Sequence, residues 1–471
     1  MRAPLRRAVV LAAALAAAPG ARAQTLGRLD FPTSGTPAAQ AKFLTGLGFL
    51  HNFEYDSAAA AFREAQRLEP GFAMAYWGEA MTHTHPIWNQ KDPAAARAVL
   101  ARLAPTPEAR AAKAKTERER GYLRAVEVLY GEGGKAKLDT LYAVEMERLS
   151  AAHPKDDEAR SFHALALLGL SQGVRVVPTY MRAGAVALDV MSRNPEHPGA
   201  VHYAIHAFDD PTHAPLGLGA ARVYSRIAPD APHAQHMTTH IFLALGMWDE
   251  TIAQNVIASG RDRAKWSPHH YTHWLLYGLL QAGRLDEAQR HLALVRGNAS
   301  PRQGAALREM RAHYLIETER WTDSAAVWEV PMPAHPYARA VDAFALAYAA
   351  LKRGDTAALA RRRAELATHA ADTSLAFAGV LATSLRGAEA HAAGRTGEAI
   401  DFLRRAAARE ESLPAEFGPP LVVKPSHELL GEVLLAAGRR DEAVTAFRRA
   451  LELAPGRRLS LRGLERARGG S

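Results

Sequence analysis

The 471-residue chain contains no cysteine. Disulfides, thiolate nucleophiles and cysteine-rich structural zinc sites are therefore excluded. Alternation of apolar and polar residues at strand period is scarce, which argues against sheets. The sequence has no G-x-S-x-G elbow and no phosphate-cradling glycine loop, so the hydrolase and nucleotide-binding classes built on them find no support. Beyond the first two dozen residues no apolar run is long enough to span a bilayer. Basic charge is in small excess: the formal net charge is +9, and four arginines without an acid lie in the first 23 residues, leaving +5 for the rest. Much of that sits between Arg457 and Arg468. So weak a bias predicts no nucleic-acid partner.

The N-terminus has the form of a cleavable export signal. Arg2, Arg6 and Arg7 precede an apolar run from Ala8 to Ala18, and Ala21-Arg22-Ala23 is a small-x-small cleavage site before Gln24. The run is too short for a permanent transmembrane helix. A periplasmic or secreted location is expected, and the lack of cysteine agrees with it.

What the chain has in quantity is repeated helical pattern. Ser426 to Pro455 reads SHELLGEVLLAAGRRDEAVTAFRRALELAP, with Gly431 in a first helix, Gly438 at a turn, then Ala443, Phe447, Ala450 and a closing Pro455. Small residues sit where two helices cross closely and an aromatic fills the space between them. Tyr55, Ala58, Phe62, Ala65 and Pro70 repeat the spacing near the N-terminus, and Gly387, Gly394, Ala399 and Ala406 mark a further copy. Helix pairs are expected around 73–104, 138–154, 161–195, 198–229, 232–259, 268–297, 305–328 and 339–370. Three segments interrupt the pattern: His83 to Trp88, Gly173 to Pro178, and the charged stretch Pro105 to Lys137, read as insertions over the inner surface.

This spacing resembles the tetratricopeptide repeat family. The resemblance implies an all-α solenoid of stacked antiparallel helix pairs, with first helices lining a concave groove that in the family holds peptides. Three segments are expected: a signal peptide (1–23), an N-terminal solenoid with a histidine-rich concave face (24–335), and C-terminal repeats (336–471). The stretches 73–81 and 233–242 also resemble a group of exported bacterial repeat proteins with no assigned activity.

Histidines follow the repeat. His202 and His206 recur as His236 and His240, each 34 residues on. A shift of 37 carries His233, His236 and His240 onto His270, His273 and Tyr277, and one of 36 carries His273 and Tyr277 onto Glu309 and His313. Nine of the 21 histidines fall between His202 and His273, where an even spread would place about three. Residues three or four apart share a helix face, so His202 should neighbour His236, and His206 should neighbour His240.

Imidazole with carboxylate and no thiolate suits copper, zinc or iron. The expected ligands are His202, His206, His233, His236, His240, His270, His273, Glu309 and His313, enough for a mononuclear or dinuclear site. Asp209 or Asp210 could orient an imidazole. Tyr277 is the candidate catalytic aromatic, as proton donor or ligand partner. His51, His83 and His85 are read as capping or loop residues, or, if the superhelix curls, as residues brought over the groove. His153, His163, His197, His213, His291, His335, His369, His391 and His427 are read as surface or helix-end residues. Beyond the groove repeats, Phe344 and Tyr348 bring neither imidazole nor carboxylate.

Two functions stay open: a metalloprotein, with hydrolase or oxidoreductase chemistry on a small molecule or peptide in the groove, or a metal-free protein-interaction scaffold. N-terminal sequencing of protein recovered from the periplasm of a bacterial host should begin at Gln24; recovery of uncleaved protein from the cytoplasm alone would contradict the export reading.

Overall fold

The computed structural model describes residues 24–172, 174–331, 335–415 and 417–469; the expected signal segment and Gly173 lie outside the described residues. The described chain is helical apart from turns and one two-stranded hairpin, Thr84–His85 with Gln90–Lys91. Consecutive helices pack as antiparallel pairs, beginning with Pro37–His51 against Tyr55–Leu68 and ending with Ser426–Ala436 against Arg440–Leu453. Alternate helices also touch along the stack, for example Asp157–Gly169 with Pro198–Phe208.

Local sequence explains where the helices begin and cross. Proline occupies the first turn of Pro198–Phe208 and Pro232–Ala244, where its missing N–H costs nothing. Thr116 and Glu119 close a capping box at Glu117–Leu129. Phe62 fills the crossing left by Gly46 and Gly78, and Phe447 does the same between Gly431 and Gly463. A Cβ on any of these glycines would fall within 3 Å of the ring.

Two expectations need correction. The segment read as an insertion supplies Glu117–Leu129, which pairs with Lys135–Ala152, so a helix pair spans 117–152 rather than 138–154. The pair expected at 305–328 is one α-helix, Gly304–Thr318, followed by a short 3-10 turn at Ser324–Val327.

One turn recurs with unusual regularity. Gly246, Gly283, Gly354, Gly394 and Gly438 each end a first helix with φ between +69° and +76°. The N–H after each reaches back to the fifth residue before it, as in Met247 to Phe242 and Arg439 to Leu434. In the first repeat Glu54 makes the same bond to Phe49, and the left-handed position is held by Phe53, with φ +56°. A side chain there costs roughly 1–2 kcal/mol relative to glycine.

The stack curls until distant repeats meet. At the N-terminal end, the Tyr224 hydroxyl donates to Asn52 Oδ1 at 2.8 Å. At the C-terminal end, Trp248 Nε1 donates to the Gly456 carbonyl at 3.0 Å. Gly418, at φ +87°, lies so close to Trp274 that a Cβ would sit 2.2 Å from its ring. Arg457, fully buried, pairs with Glu317 at 2.6 Å and Glu428 at 2.8 Å and donates to the Tyr277 hydroxyl at 3.3 Å. Burial pushes the Glu317 carboxyl up, and the Arg457 charge opposes that rise. Replacing Arg457 by alanine leaves the buried Glu317 carboxylate without its ion-pair partner, while Glu428 keeps Lys424 at 3.0 Å. Arg457→Ala should therefore cost about 3–5 kcal/mol in urea unfolding; a loss below about 1 kcal/mol would show that this pairing does not hold the curl closed.

Candidate metal centre

The curl gathers the groove histidines from three first helices, Pro198–Phe208, Pro232–Ala244 and His270–Gln281. Six of them form two groups of three, His202 with His206 and His233, and His236 with His240 and His270. Within each group, one nitrogen from every imidazole lies within 4.8 Å of the others.

Hydrogen bonds determine which nitrogen each ring presents. His202 Nδ1 donates to the His51 carbonyl at 2.7 Å, leaving a lone pair on Nε2. That atom is buried and has no hydrogen-bond partner, and the same holds for Nε2 of His206 and of His233. In the second group, His236 Nδ1 donates to Asn255 Oδ1 at 2.8 Å, and Asn255 is oriented by its own bond to the Thr251 carbonyl. His240 Nδ1 donates to the Asp209 carboxylate, as the sequence reading allowed. With both Nδ1 atoms committed as donors, Nε2 of His236 and Nε2 of His240 turn lone pairs toward each other across 3.1 Å. Two facing lone pairs repel unless a proton or a metal ion stands between them.

The electrostatics are those of a site for a positive ion. Burial holds His202, His206, His233 and His236 well below the usual imidazole range, and neighbouring histidines push in the same direction. All are then neutral near pH 7, the form that ligates metal. Rings pack around them: Phe53 lies 4.2 Å from His202, Tyr271 is stacked 4.6 Å from His236, and Trp274 is 4.3 Å from His240.

The expected register holds in part. His206 and His240 are neighbours, with ring centroids 5.8 Å apart. His202 meets His233 at 5.1 Å, and His236 meets His270 at 4.5 Å. The remaining expected ligands stand in a separate chain of bonds. His313 Nε2 lies 3.1 Å from the Pro420 carbonyl, and its Nδ1 lies 3.1 Å from both the Glu309 carbonyl and His273 Nε2. Glu309 reaches His273 Nδ1 only at 3.8 Å. Burial pushes His313 down to about 4. Tyr277 lies with Trp248, His313 and Arg457. It lines a cavity of about 450 Å³ under the C-terminal segment, on whose wall Asp209 also lies.

His51 and His197 occupy places the sequence reading did not give them. His197 does end a helix, where its Nδ1 accepts from Ala200 N–H at 3.1 Å, but it is wholly buried. With its Nδ1 accepting, His197 carries its proton on Nε2 and turns it to Glu158 at 3.2 Å. His51 joins the same carboxylate at 2.6 Å and the Tyr203 hydroxyl at 2.8 Å. The triad His51–Glu158–His197 is close enough to hold an ion, yet its nitrogens are already engaged. It acts instead as an anchor, since the His51 carbonyl orients His202. His163 and His291 are likewise buried rather than on the surface. Phe53, Asn255, Tyr271 and Trp274 were missed. Only Phe53 left a sequence signal: it stands where five later repeats have glycine.

Residues 425–457 match the tetratricopeptide repeat model. The chain carries a tetratricopeptide repeat. The tetratricopeptide-like fold extends through the described helices as stacked antiparallel pairs. Among solved structures, yeast Tom70 aligns over 91% of this chain and 95% of its own at 12% identity, with TM-score 0.36. The Cut9 hetero-tetramer with Hcn1 aligns over 92% and 96% at 12% identity, with TM-score 0.32. The P58(IPK) TPR domain aligns over 91% and 97% at 12% identity, with TM-score 0.22. No curated protein sequence matches the chain.

A pH prediction follows from the depressed imidazoles. Unfolding restores each to an ordinary pKa near 6.5, so below that pH the unfolded chain binds more protons and stability falls. The slope approaches about 1.4 kcal/mol per pH unit for each such histidine. Urea midpoints of metal-free protein should drop between pH 7 and pH 5, and a flat profile would contradict the burial described.

Proposed function

We propose that the histidine groove binds two transition-metal ions, each through three imidazoles. The observation that carries this reading is the pair of Nε2 lone pairs of His236 and His240, turned on each other 3.1 Å apart while Asn255 and Asp209 hold both Nδ1 protons. The three partnerless Nε2 atoms of His202, His206 and His233 support it independently. Buried polar atoms without partners are costly, and an ion removes that cost. Imidazole donors fit copper, zinc or iron. Ligand bonds near 2.0–2.1 Å are within reach of small side-chain rotations from the spacing present.

In this reading the protein's own residues do three things. Asp209, Asn255 and the His51 carbonyl fix the imidazole tautomers and ring directions. Phe53, Tyr271 and Trp274 exclude water around the rings. Tyr277 and Asp209 line the 450 Å³ cavity, which offers space for a small molecule or peptide. A bound ion with an open position would supply Lewis-acid or redox chemistry, which makes a metal-dependent hydrolase or oxidoreductase the activity to screen for. The N-terminal signal motif supports a periplasmic or secreted location. The alternative, a metal-free interaction scaffold, draws support from the matched repeat at 425–457.

Elemental analysis of protein purified without a histidine tag separates the two. Two ions per chain are expected, with loss from the double variant His236→Ala, His240→Ala, and no loss from His369→Ala or His391→Ala. Full metal content in the double variant would reject the assignment. Partner capture unchanged by chelation, with turnover in neither form, would favour the scaffold.

A further inference from the structure

The two imidazole groups differ in one respect that the metal reading alone does not require. His202, His206 and His233 are buried, and their free Nε2 atoms are sealed from solvent. In the second group, His236 and His240 are buried but His270 is exposed. The seal on the first group is Phe53. Its ring lies 4.2 Å from His202, 5.8 Å from His206 and 5.6 Å from His233, so one side chain touches all three, with Trp88 packed outside it against Phe53 and His233.

Phe53 is held there by backbone that would ordinarily choose another residue. It occupies the left-handed turn position that Gly246, Gly283, Gly354, Gly394 and Gly438 fill in other repeats. Strained positions of this kind persist only where surrounding structure fixes them. Here the residue before it is locked: Asn52 donates to the Leu26 and Gly48 carbonyls and accepts from Tyr224. The residue before that, His51, sends its carbonyl to His202. Three consecutive residues thus build one wall of the first group.

Resting on the two-ion reading, we propose that the two sites are unequal: Phe53 seals His202, His206 and His233 into a slowly exchanging site, while His236, His240 and His270 form the open one, accessible to an added ligand at the edge where His270 is exposed. Phe53 is in this account a positioning residue. It touches imidazoles and not the reacting ligand.

Cobalt(II) serves as the spectroscopic probe ion and azide as the anion. Wild-type protein loaded with Co2+ should release one ion to a chelator at least about tenfold more slowly than the other. Azide should perturb the visible spectrum of the fast-exchanging ion alone, and His270→Ala should abolish that response while the slow ion stays. Phe53→Gly should bring the slow ion's release to within a few-fold of the fast one. Metal-free Phe53→Gly should also melt higher than Phe53→Ala, because glycine suits the left-handed turn. Two ions with equal release rates in wild type, or azide binding that survives His270→Ala, would overturn the inequality. Failure to bind Co2+ at all would instead overturn the two-ion reading beneath it.

Discussion

The constraint on which the rest depends is the desolvation of imidazole nitrogens whose other nitrogen is already spent. An imidazole has two ring nitrogens, and in the neutral form one donates and one accepts. At His202, His236 and His240 the donor is committed to the His51 carbonyl, to Asn255 and to Asp209. His202 then turns a lone pair into a space from which water is excluded, and His236 and His240 turn theirs toward each other. Such an arrangement is unfavourable by itself and becomes favourable around a cation. The curl of the solenoid, the buried Glu158 triad and the strained Phe53 turn all follow as means of holding that arrangement in place.

The closure of the stack has a consequence for the groove. In a peptide-binding array the inner face is open along its length. Here Gly418 lies on Trp274, Pro420 lies 3.1 Å from His313, and Arg457 reaches Glu317. The chain's own C-terminal segment covers the later part of the inner face and borders the cavity of about 450 Å³.

The fold class was legible because the tetratricopeptide pattern rests on close crossings that allow few residue types: glycine at 46, 78, 431 and 463, phenylalanine at 62 and 447. The histidine face was legible for the same reason, since helical period fixes which side of a helix a residue occupies. Axial offset between neighbouring helices is set by packing with the second helices, which period does not encode, so His202 meets His233 where His236 was expected. His273, Glu309 and His313 share the right face but are drawn off by the Pro420 carbonyl, a contact 107 residues away in sequence. His197 shows the opposite error: its capping role was readable, while its burial depends on a carboxylate from another repeat.

Anomalous diffraction from crystals of the metal-loaded protein, collected on either side of the metal's absorption edge, tests the central claim most directly. Two peaks are predicted, one bonded to Nε2 of His202, His206 and His233 and the other to Nε2 of His236, His240 and His270, at roughly 2.0–2.1 Å. Anomalous density confined to the His51–Glu158–His197 triad, or none in the groove after loading, would contradict the account.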